Sequence, residues 1–168
     1  MRPETDATIA PADRHRRQGD ATTGDTAEKV DTLRFDLMHS AIYHDLRARW
    51  FGRLYRLSLY VVVVLGSGAV AALAQNWPLL AQIAGVLVTL ISAAHLVFDW
   101  ANVHRCHTDL KCEFYDLLAD LEAGHDAQAI KARLPLLWAK EPAEHIQTAN
   151  RAHNRAGQSL YGDDFNKV

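Results

Sequence analysis

The chain is predicted to be an all-α membrane protein, a two-transmembrane helical hairpin with long helices extending into a cytoplasmic helical bundle. Three observations carry that expectation. Two uncharged apolar runs, 57–74 and 77–98, stand almost back to back with only Gln75 and Asn76 between them. The segments on either side repeat apolar residues every three or four positions, which is helix spacing. Arginines gather just outside the runs, and the turn between them carries no charge.

Taken in order, residues 1–25 are polar, rich in Thr, Asp, Arg and Ala with two prolines. Such a segment lacks the apolar surface to offset its ordering entropy, so a flexible or locally helical leader is expected. It holds no apolar h-region, and the first apolar run would itself act as the insertion signal. Residues 26–56 place Val30, Leu33, Leu37, Ala41, Leu46, Trp50 and Leu54 at helical intervals. Thr26 or Asp25 is a suitable cap for this amphipathic approach helix, which flows into the first span or breaks near Gly52. Trp50, Phe51, Tyr55 and Tyr60 mark the headgroup level. Arg49, Arg53 and Arg56 share one helix face, suited to lipid phosphates or acidic partners, and with Trp50 they are the expected membrane-interface anchors.

The first run has 18 residues, about 27 Å of helix at 1.5 Å per residue, close to the hydrocarbon thickness of a bilayer. The second has 22 and spans with a little tilt. Arg47, Arg49, Arg53 and Arg56 precede the hairpin, and Arg105 and Lys111 follow it. By the positive-inside rule both termini are then cytoplasmic. Cys106 and Cys112 fall on the reducing side and diverge on a helix, so no disulfide between them is expected.

Beyond the second run, Trp100, Val103, His107, Leu110, Phe114, Leu117 and Leu121 alternate three and four residues, a seam of the coiled-coil type. The second span is therefore expected to continue as a cytoplasmic helix up to Gly124. Asp126 caps a shorter helix through about Trp138, kinked or shortened by Pro135, and Glu141–Pro142 opens a further one. The cytoplasmic helices occupy 99–156 and a frayed tail 157–168.

No enzyme signature is present: no Walker or dinucleotide loop, no nucleophile elbow, no His-Glu-x-x-His. No catalytic residue and no cofactor is expected. The net charge of −2 argues against a nucleic-acid partner. Gly66, Ser67 and Gly68, with Ala71 and Ala72, offer small-xxx-small spacing for close helix packing. His104, Cys106, His107 and Cys112 carry metal-ligating chemistry, but their directions on one helix diverge too far to close around an ion without other helices or subunits, and no metal is expected.

The second span also carries a polar stripe, Gln82, Gly85, Thr89, Ser92, His95 and Asp99, opposite a face of Leu, Ile and Val. Polar groups in hydrocarbon are costly without partners. The stripe is either an interhelical interface or the lining of a pore formed by several copies. His95 and Asp99 are neighbours at the cytoplasmic end, placed to pair with each other or with Arg56.

The whole pattern resembles the SLATT domain family, two-transmembrane modules of bacterial conflict and nucleotide-signalling systems. The resemblance runs from about Asp31 to Gly162. It rests on the approach helix with Arg49, Arg53 and Arg56, the minimal turn, the helix through Leu110 and Leu117, and the Lys140-Glu141-Pro142 step followed by a helix ending in His153-Asn154. It implies a membrane effector whose subunits assemble in the inner membrane and form a pore when triggered. With no fused sensor domain, the trigger would be a separate signalling protein or the cytoplasmic helices themselves; no residue points to a nucleotide messenger. The competing expectation is a membrane-anchored helical interaction or scaffold module without pore activity.

Overall fold

The computed structural model describes residues 11–67, 75, 77–162 and 165, with side chains described from residue 26 onward. Every regular element among these residues is a helix: α1 (Pro11–Leu65), α2 (Pro78–Phe98), α3 (Trp100–Glu122), α4 (Ala127–Trp138) and α5 (Ile146–Tyr161).

α1 is one helix of 55 residues, roughly 80 Å at the standard rise, with its start already at Pro11. It passes through Gly52 without a break. A Cβ there would come within 3.0 Å of the His104 ring, so glycine is what lets α3 lie close against α1 at this level. The helix ends at Leu65, where Gly66 and Ser67 turn back on the Val62 and Val64 carbonyls. Glycine's poor helix propensity explains an end inside the expected first span. Gly68, Ala71 and Ala72, three of the five expected packing residues, lie outside the described residues.

The core lies between α1, α3 and α4, where Leu33, Leu37 and Ala41 meet Leu110, Phe114, Leu117 and Leu121, closed by Ile130, Leu134 and Leu137. The α3 seam is the face that α3 buries, His107 included. On α1 the buried line departs from the expected one. After Ala41 it runs through His44, Ala48 and Gly52, while Leu46 and Leu54 are only half-buried and Trp50 is 54% exposed. α5 packs on α1 through Ala152, Ala156 and Gly157, small residues that bring the two helices together, and Phe165 folds back over Gly157. Phe35 meets His153 edge-on at 5.0 Å between ring centroids, and Tyr161 donates to Asp31 at 2.7 Å.

Three expectations about the chain's course are corrected. The second span does not run on into the seam: Asp99 stands between α2 and α3 with φ 40° and ψ 53°. Aspartate tolerates the left-handed region better than most residues, and its carboxylate accepts from Asn102 N–H at 3.3 Å to start α3. Pro142 does not open a helix. Glu141 to His145 form a connection held to α1, where the His145 N–H donates to the Tyr43 hydroxyl at 3.0 Å, and α5 begins only at Ile146. α5 then extends past 157 to Tyr161 and stops at Gly162, φ 72°. Gly124, φ 83°, closes α3, and Asp126 accepts from Gln128 and Ala129 N–H to cap α4, which keeps Pro135 one turn from its end.

Candidate functional site

The apolar part of the molecule joins the bundle through a short stretch of polar and aromatic contacts. Ser58 donates to the Tyr55 carbonyl at 2.8 Å, which uses its only proton, so His95 Nε2–H donates to the Ser58 oxygen at 2.6 Å. His95 also packs edge-on against Tyr55 and Trp100. This corrects the expected pairing of His95 with Asp99 or Arg56. The Asp99 carboxylate caps α3, and Arg56 Nε donates to the Gly52 carbonyl at 3.1 Å. One turn below, His104 Nδ1 bonds the Ala48 carbonyl at 2.9 Å, the contact Gly52 makes room for.

Deeper in the bundle lies a chain of three titratable side chains. His44 and His107 are 0% and 1% exposed, with their Nδ1 atoms 2.8 Å apart. His44 Nε2 is 3.2 Å from Glu141 Oε1. An ionised carboxylate only accepts, so His44 donates there through Nε2–H, and one further proton sits between the two Nδ1 atoms. Burial first, then electrostatic repulsion from the neighbouring His44, Arg47 and His104, pushes His107 down to about 4. It is therefore neutral at pH 7. Phe51 stacks over His107 and Phe114 over His44, each within 11° of parallel. The chain joins α1, α3 and the α4–α5 connection through hydrogen bonds whose donors and acceptors are set by the protons on the two rings.

The expected metal-type residues do not come together. His104 and His107 face different partners on α1, Cys106 Sγ approaches the Lys140 carbonyl at 3.9 Å, and Cys112 is exposed. Among the described residues no group of three or more His, Cys, Asp or Glu side chains is placed to hold a metal.

Of the polar stripe, His95 bonds to Ser58 of α1 and Asp99 accepts from Asn102 of α3, while the rest make no hydrogen bond to another helix among the described residues. Gln82, Gly85, Ser92 and Asp99 are exposed, and Thr89 donates to the Gly85 carbonyl of its own helix at 2.8 Å. Gly66 is exposed and Ser67 half-buried at the end of α1.

The anchor arginines are split. Arg49 pairs with Asp45 at 2.7 Å, and both it and Arg53 line a groove of about 820 Å³ beside Trp50 and Phe51. Across the groove stand Arg151 and Arg155 of α5, two cations one turn apart that the sequence pattern had not singled out. Arg56 lines a second cavity of about 480 Å³ with His104 and Arg105.

No family model, no curated protein and no solved structure matches the chain.

Proposed function

We propose that this chain is an oligomeric membrane protein, a pore-forming or membrane-perturbing effector of a bacterial defence or conflict system, regulated through its cytoplasmic helices. The observation that carries the membrane part is the surface of α2. Of its 21 residues only Ala84 is buried, and Leu79, Leu96 and Val97 are 68%, 86% and 73% exposed. Leu57, Tyr60 and Val63 of α1 stand beside it, 62%, 67% and 69% exposed. Water does not tolerate a contiguous apolar surface on this scale, whereas hydrocarbon does. α2 is long and apolar enough to cross a bilayer. Its eleven Leu, Ile, Val and Phe residues favour insertion by roughly 3–7 kcal/mol, and the helix contains no Asp, Glu, Lys or Arg to oppose them.

Assembly is the second part of the proposal. Two helices cannot enclose an aqueous path, so a pore needs several copies, and the stripe of Gln82, Gly85 and Ser92, exposed among the described residues, is the face offered to them. The defence role rests on the SLATT-like pattern, and the arginines on the bundle side support a topology with both termini in the cytoplasm. The internal bond of Thr89 favours the second reading, a membrane-anchored interaction module, because that hydroxyl needs no partner from another helix.

Ion flux from reconstituted vesicles separates the two. Gln82→Leu, Thr89→Val and Ser92→Ala together leave the His95–Ser58 contact intact and should reduce flux at least tenfold if this face lines the path. Equal flux from wild type and triple variant removes the face from any pore. Wild type that inserts yet passes no ions leaves the anchored module standing.

A further inference from the structure

The groove between α1 and α5 is lined by five arginines, Arg47, Arg49, Arg53, Arg151 and Arg155, and by no carboxylate. Its charge is largely uncompensated. Arg49 has Asp45, but Arg53, Arg151 and Arg155 make no ion pair among the described residues. Arg34 and Arg133, away from the groove, are by contrast paired, with Glu122 and Asp120 respectively. Arg47 lies with its guanidinium over the Phe51 ring, 4.7 Å from the centroid, and its buried Nε has no hydrogen-bond partner. Cations placed on two packed helices repel one another, and a bound anion between them would relieve the repulsion that solvent only partly screens.

The position of the groove selects the anion. Phe98 and Trp100, which flank the end of apolar α2, form one wall, and Leu54 and Trp50 form another. Phe98 is 60% exposed and Leu57, just beyond, 62%. The groove is thus basic toward the bundle and apolar toward the hairpin, the two-part chemistry of a phospholipid at the headgroup level. Arg56 and Arg105 line a second cavity at the same level.

We infer that this groove binds the phosphate headgroup of an anionic phospholipid, held between Arg47 and Arg53 of α1 and Arg151 and Arg155 of α5, with the acyl chains running along the hairpin. The lipid bridges α5 to α1 at the point where the bundle meets the membrane. Lipid composition thereby bears on how firmly α5 is docked. The inference rests on the membrane reading of the hairpin and goes beyond it.

Native mass spectrometry of the full chain in detergent, titrated with phosphatidylglycerol or with phosphatidylcholine of the same chains, tests it. Phosphatidylglycerol should bind at least tenfold tighter. Arg151→Gln with Arg155→Gln should weaken phosphatidylglycerol roughly twenty-five-fold, at about fivefold per cation. Lys131→Gln with Arg133→Gln, the same charge change on α4, should leave it within twofold. Equal loss in both double variants, or no preference between the lipids, overturns the site. Competition by inorganic phosphate at equal concentration overturns the lipid assignment in favour of a free anion. Carbonate extraction of cell membranes carrying each variant keeps the two readings apart. Protein that stays in the membrane without lipid preference refutes the site alone, and protein that leaves it refutes the hairpin as well.

Discussion

Acidification should destabilise the bundle through one residue, His107. Its folded pKa of about 4 lies below the unfolded value of 6.5, so between these limits the unfolded chain binds the extra proton. The stability tied to keeping His107 neutral is therefore fully present above pH 6.5 and lost as pH falls toward 4. The slope is about 1.4 kcal/mol per pH unit, and the whole effect is roughly 3 kcal/mol. From pH 6.5 to pH 5, above the range where most carboxylates titrate, about 2 kcal/mol should go. The charged and titratable groups around it are His44 and Arg47 on α1 and His104 on its own helix. Glu141 meets His44 from the far side. His107→Gln keeps a side chain able to hydrogen-bond His44 Nδ1 but does not titrate. Urea unfolding followed by circular dichroism in a fixed detergent, at several pH values, should show a slope in wild type that the glutamine variant lacks. If both lose the same stability between pH 6.5 and 5, His107 does not carry the effect and the account of the buried pair is wrong.

Gly52→Ala should cost about 1–2 kcal/mol, because its methyl group displaces the His104 ring and breaks the bond to Ala48; thermal unfolding beside an Ala48→Gly control measures it. Asp99→Ala should cost about 2 kcal/mol by losing the cap and straining a left-handed backbone, whereas Asp99→Asn should stay within roughly 0.5 kcal/mol. Phe114→Ala, at 0% exposure in the centre of the core, should cost about 3–5 kcal/mol in the same denaturation assay. Cys112 is exposed, so an impermeant maleimide should label it in inside-out vesicles and not in intact cells; labelling in intact cells reverses the topology.

What could be read from the sequence divides along physical lines. The α3 seam was legible because its members are large and apolar and their spacing is regular. On α1 the same rule followed Leu46, Trp50 and Leu54, while the helix buries His44, Ala48 and Gly52 in order to meet two histidines of α3. A histidine or a glycine in seam register carries little hydrophobic signal, although His44 lies seven residues after Leu37 and three after Ala41. The break at Asp99 depends on a backbone conformation that tertiary packing selects, and no local pattern announced it. Pro142 read as a helix start because its fixed φ suits one, yet Tyr43 and His44 capture the connection before a helix can begin. Arg151 and Arg155 do carry a signal in the sequence: two cations one turn apart, flanking the small face of Ala152 and Ala156.

The central claim, that copies of this hairpin assemble in a membrane around their polar stripes, is met most directly by the mass of the wild-type protein in lipid nanodiscs. The account predicts a closed ring of five or more subunits that persists across protein-to-lipid ratios. A monomer at every ratio would contradict it.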